Sequence, residues 1–158
     1  MRNFLQIGQL DPLPLLHAIA AQPQLWSKDM MVLRWPESEA NYLLVENKIE
    51  WAALPQARDI VMTTLARVAG VHLGKVWVER LVAGDKRCLY NESENHYFSH
   101  YIACLQALPG VEWAIAEEKG FMPPGTGWWL NSTIPINITN NSADDLIYLG
   151  INIHVGGL

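Results

Sequence analysis

Cysteine is nearly absent: Cys88 and Cys104 are the two thiols in 158 residues. That is too few for the disulfide framework that stabilises small exported domains. No basic segment leads into an apolar run and a small-residue cleavage site, so export is not expected and a cytoplasmic location is. Long apolar runs are missing as well. The stretch 13–21 falls short of the roughly 20 residues that cross a bilayer and is interrupted by Pro14 and His17, so no membrane partner is expected. Charge is sparse, at 17% of residues, and its balance is acidic, a net −5. A phosphate-backbone binder would carry a basic stripe to displace condensed counterions, and nucleic acid is therefore not an expected partner. The glycines at 125, 127, 156 and 157 do not open a helix after a strand, which excludes a phosphate-cradling loop. What is present is tryptophan, seven of the fifteen aromatic side chains, in a chain that is half hydrophobic. Such a chain can bury one substantial core, and a single domain over residues 1–158 is expected.

The periodicity changes along the chain. Asp11 before Pro12 reads as a helix cap, and Leu15, Leu16, Ile19 and Ala20 follow on one helical face up to about Gln22. Short extended segments are expected at 30–35 and 42–45. From 54 to 69 the apolar residues Ala57, Ile60, Val61, Leu65 and Val68 recur every three or four positions, and Gly70 stands where that helix would close. Residues 75–82 then alternate, with Val76, Val78 and Val82 on one side and Trp77, Glu79 and Leu81 on the other. Further strands are expected at 101–108, 111–116, 127–130, 134–139 and 146–155, separated by turn-rich pieces. Helices first and many short strands afterwards indicate an α+β, mainly β fold.

The C-terminal half also carries motifs in a fixed order. These are Arg80-Leu81-Val82-Ala83-Gly84, the segment 101–106, Pro109-Gly110-Val111, Met122-Pro123-Pro124-Gly125, Trp128-Trp129-Leu130-Asn131, and Asn140-Asn141-Ser142 running on to Asp144-Asp145. No single piece is specific, but together they resemble the aspartyl/asparaginyl β-hydroxylase-like oxygenases, in the compact form found in phages and bacteria. The resemblance implies a double-stranded β-helix of the cupin or jelly-roll kind over residues 75–155, with residues 1–70 supplying peripheral strands and helices packed on one face. Family members hold Fe(II) with a His-x-Asp pair and a distal His, and 2-oxoglutarate (2OG) completes the site beside one open position.

Here the resemblance puts Tyr90-Asn91-Glu92 at the His-x-Asp positions and Ile136 at the distal His. The arginine that would hold the far carboxylate of 2OG is replaced by Leu146, and a cofactor-wall position, commonly His, by Ile102. Trp77, Trp128 and Asn131 are candidate pocket residues. An aliphatic side chain cannot ligate iron, and a dicarboxylate buried without a cation is strongly disfavoured. The expectation is thus a catalytically degenerate scaffold with no metal or cofactor, binding a protein partner or small ligand. The alternative is a divergent Fe(II)/2OG hydroxylase with shifted ligands, for which Glu92, His96 and His100 form the candidate metal set. A homodimer through sheet edges is a further expectation. Cys88 and Cys104 read as buried small hydrophobes, His154 as a surface or hydrogen-bonded residue, and Asp144-Asp145 as turn residues.

Overall fold

The computed structural model describes residues 2–89 and 97–156. Its helices follow the apolar spacing. In α1 (Leu13–Ala20) Leu15 and Ile19 are buried, and the Asp11 carboxylate accepts the N–H of Leu13 at 3.1 Å, while Pro12 is the capping residue. The short α2 (Ile49–Ala53) leads into α3 (Pro55–Arg67), where a proline in the first turn needs no backbone donor and Ala57, Val61 and Thr64 are buried. The left-handed residue that closes α3 is Ala69, φ 54°, one position before the expected Gly70.

The strands form two antiparallel sheets. The large one contains β1 (Phe4–Gln9), β2 (Met30–Pro36), β3 (Val45–Asn47), β4 (His72–Leu81), β6 (Ser99–Gln106), β9 (Thr126–Leu130) and β11 (Leu146–His154), in the order β1-β9-β6-β11-β4-β2-β3. The small one contains β5 (Lys86–Leu89), β7 (Val111–Ile115), β8 (Glu118–Gly120) and β10 (Ile136–Asn140), in the order β5-β10-β7-β8. From β4 onward the chain alternates between the sheets: β4, β6, β9 and β11 are large-sheet strands, and β5, β7 with β8, and β10 belong to the small one. That alternation makes a double-stranded β-helix.

Side-chain alternation along each strand then divides the core in two. Trp77 and Leu81 of β4 face the space between the sheets, whereas Val76 and Val78 pack outward against Leu15, Ile19, Ala57 and Val61 of the helices. The same rule turns Tyr148 inward and Leu149 outward on β11.

One end of the barrel is tied shut by a buried asparagine. Asn140 is fully buried and donates from Nδ2 to the carbonyls of Leu81 at 2.8 Å and Asp144 at 2.9 Å, while its Oδ1 accepts from Ser142 N at 3.0 Å. The residues of this turn act in backbone hydrogen bonding. Cys104 is buried, but Cys88 is exposed, contrary to the expectation, because it lies on the outer strand β5. Among the described residues no helix is long and apolar enough to cross a membrane.

Candidate functional site

The barrel interior is where the elements above converge. Ile136 begins β10, paired with Leu89 on β5 and Ile115 on β7, and is 1% exposed. Leu146 begins β11 near the tied end, opposite Leu81, and is fully buried. Ile102, in the middle of β6, is 1% exposed and faces the same apolar space. These three of the five positions singled out by the resemblance thus share one core. Tyr90, Glu92 and His96 lie outside the described residues, so their grouping with His100 does as well.

Trp77 is buried in this core, its ring over Gly150 and edge-on to Trp35 and His100 at 6.2 and 5.2 Å between centroids. Trp128 is half-buried, and its indole N–H donates to Thr126 Oγ1 at 2.7 Å. Asn131 sits in the turn after β9, where Nδ2 donates to Asn3 Oδ1 at 3.0 Å and Oδ1 accepts the Thr133 hydroxyl at 2.7 Å. Asn131 therefore holds this turn in place.

Of the polar groups described in the interior, His100 is the one the sequence had singled out as a candidate site residue. Glu79 of β4 has its carboxylate side chain 5% exposed and forms an ion pair with Arg87, whose side chain reaches from β5 and is 41% exposed. Burial raises the pKa of Glu79, and the Arg87 charge opposes that rise. The Tyr148 hydroxyl and the Trp77 indole lie close enough to favour the charged carboxylate, yet neither makes a strict hydrogen bond, and Glu79 Oε1 has no partner. Burial, reinforced by the Glu79 charge, holds the Tyr148 phenol protonated. His100 lies at the opposite end from Asn140; its Nε2 is buried without a partner among the described residues. Desolvation, with Lys75 adding to it, lowers the pKa of His100 to about 4, so the imidazole is neutral at pH 7. Burial pushes the Cys104 thiol up to about 12, which leaves it no thiolate character.

These shifts have a measurable sign. A carboxyl group whose native pKa is raised contributes stability that is fully present below its ordinary value of 4.5 and is lost as the pH climbs through the elevated native value. Glu79→Gln is expected to abolish that decline, giving a flatter profile of melting temperature against pH above about 4.5. An unchanged slope in the variant would show that other groups carry it.

No protein-family model matches the sequence, and neither does any curated protein. Solved structures do match. A 2OG-Fe(II) oxygenase family oxidoreductase from Burkholderia pseudomallei superposes with a TM-score of 0.69 over 98% of this chain and 85% of its own, at 11% identity. The viral collagen prolyl hydroxylase of Paramecium bursaria Chlorella virus 1, solved with 2OG, gives 0.63 over 99% and 97%, at 12% identity. The chain has the fold of the 2OG-Fe(II) oxygenases. A prolyl-4-hydroxylase from Pseudomonas putida adds a third likeness, 0.54 over 99% and 95% at 11% identity. At such identities the likeness concerns the backbone, and the chemistry must be tested on the side chains.

An oxygenase fold implies Fe(II) and 2OG. Ile136 and Leu146 carry no atom able to ligate iron or pair with a carboxylate. No group of three His, Cys, Asp or Glu side chains suited to a metal ion occurs among the described residues. Among the described residues the charged group buried in the interior is an acid, Glu79, which would repel a second carboxylate, and its cation Arg87 is already engaged. The described residues do not fit that pair.

Proposed function

We propose that this chain is a catalytically degenerate relative of the β-hydroxylase-like oxygenases that acts as a binding module. The observation carrying the reading is the burial of Ile136, Leu146 and Ile102 together in one apolar core. An interior packed in that way gives the barrel its rigidity without a metal, and function moves to clefts and loops at its margins. A cytoplasmic location and a protein or small-ligand partner belong to the same proposal, with association through β1, β3, β5 or β8, the outer strands of the two sheets.

A second reading is favoured by one observation. His100 faces the interior at the end opposite Asn140 with an unpartnered, neutral Nε2, the state in which imidazole binds metals. In that reading the chain is a divergent Fe(II)/2OG hydroxylase with His100 among its ligands. Anaerobic purification followed by metal analysis, thermal-shift titration with Fe(II) and 2OG, and an assay for succinate separates the two. The expected result is no stoichiometric iron, no stabilisation and no succinate. Iron retained with 2OG-dependent stabilisation, lost in His100→Ala, would establish the second reading and overturn the first.

A further inference from the structure

The margin where the large sheet's β1 and β9 face the small sheet's β7 and β8 is open. A cleft of about 240 Å³ lies there, walled by Phe4, Trp113, Phe121, Met122 and Trp128. Four of the five walls are aromatic. Phe121 is 38% exposed, a large exposed ring at the lip, while Phe4, Trp113 and Met122 are buried behind it. The Trp128 N–H is already bonded to Thr126, so that ring has no free donor.

Charge at the rim has a definite sign. Arg2 lines the cleft and has no carboxylate partner among the described residues. Lys119 also lines it, and its contact with Glu112 is long, 3.9 Å, between two exposed groups. The acid on the same rim, Glu118, accepts the backbone N–H of Asn3 at 2.6 Å through one carboxylate oxygen. The rim thus presents two cations against one acid, an excess of positive charge.

We infer that this cleft binds a small aromatic carboxylate, its ring among Phe4, Phe121, Met122 and Trp128 and its acid group toward Arg2 and Lys119. The inference rests on the binding-module reading and names its ligand class. Size agrees: an apolar cavity of roughly 150 Å³ accepts a benzene ring, and the larger volume leaves room for the acid group or a second fused ring. Aromatic faces stack on flat rings, and guanidinium pairs with carboxylate through two parallel hydrogen bonds. An aliphatic acid would leave the rings unused, and an uncharged aromatic would leave the cations unused.

The test is calorimetric titration, with tryptophan fluorescence as a second readout, using benzoate and indole-3-carboxylate. Hexanoate lacks the ring and benzyl alcohol lacks the charge. The expected result is saturable binding of both aromatic acids, at least roughly tenfold tighter than either control. Arg2→Gln combined with Lys119→Gln is expected to remove that advantage over benzyl alcohol while leaving the melting temperature unchanged. Equal binding of hexanoate and benzoate, or no effect of the double substitution, overturns the cleft assignment. The same titrations with Fe(II) present separate the two claims. Aromatic-acid binding to a protein that also takes up Fe(II) and turns over 2OG overturns the degenerate-scaffold reading, whereas failure of every aromatic acid to bind a metal-indifferent protein overturns the cleft alone.

Discussion

Trp113→Ala is expected to lower stability by about 4 kcal/mol, a fall in melting temperature of roughly 8–16 °C for a chain of this size. Trp113 is fully buried between the sheets, with its ring 5.3 Å from that of Tyr148 at an interplanar angle of 73°. Its indole N–H has no partner, so the substitution breaks no hydrogen bond; the loss is apolar contact plus the cavity left behind. Denaturant unfolding measures it directly. A loss below about 1 kcal/mol would show that the sheets close onto the vacated space, since the cost of a large-to-small change depends on how far its site collapses. Trp113 also walls the marginal cleft, so a variant that folds should accept bulkier rings there.

Gly150→Ala is the second large effect, expected at about 3 kcal/mol. A Cβ at position 150 would stand 2.3 Å from both Cε2 and Cζ2 of Trp77, far inside van der Waals contact. Trp77 cannot yield easily, because it is 5% exposed and flanked by Trp35 and His100. The glycine is thus needed for space: its backbone is in an ordinary strand conformation, and what it provides is a flat floor for the indole. A double-mutant cycle isolates the contact. In a Trp77→Leu background the added cost of Gly150→Ala should fall to within about 0.5 kcal/mol of zero. A cost that persists there would place the clash elsewhere.

Much of this architecture was legible in the sequence, for identifiable reasons. Helix α3 announced itself through Ala57, Val61 and their neighbours at three- and four-residue spacing, and β4 through alternation that assigned Val76 and Val78 to one face and Trp77 and Leu81 to the other. Helix α3 carries a periodic signal because it has one buried face, and β4, buried on both faces, carries one because β-branched residues alternate with larger ones along it. The strands β1, β5 and β8 gave no such signal. Lys86-Arg87-Cys88-Leu89 and Glu118-Lys119-Gly120 are largely polar and lie at or beside sheet margins, where pairing with a neighbour makes a strand that composition does not specify. Residues 42–45 failed for the converse reason, looking extended while the pairing begins at Val45.

The site was legible only in part. Alternation put Glu79 on the face of Trp77 and Leu81, but nothing local indicates that Arg87 would reach it from the other sheet. The marginal cleft was hidden more deeply. Arg2, Phe4, Trp113, Phe121 and Trp128 come from four separate stretches of chain, and their meeting is a product of topology. Met122 and Trp128 were the cleft residues that lay in the motifs, and of the two Trp128 alone was read as a pocket residue.

Asn3 gives this margin a fixed aperture. Its backbone N–H holds Glu118 and its side-chain amide donates to the Ile115 carbonyl at 3.4 Å, both on the small-sheet side. On the large-sheet side its carbonyl accepts from Asn131 N at 2.9 Å and its Oδ1 from the Asn131 side chain. One asparagine therefore gauges the distance between two sheets at the point where the cleft opens, and Asn131 fixes the gauge. The gap admitted to a flat ring is a dimension written into two amides, in the way the width of a slot is written into its shim.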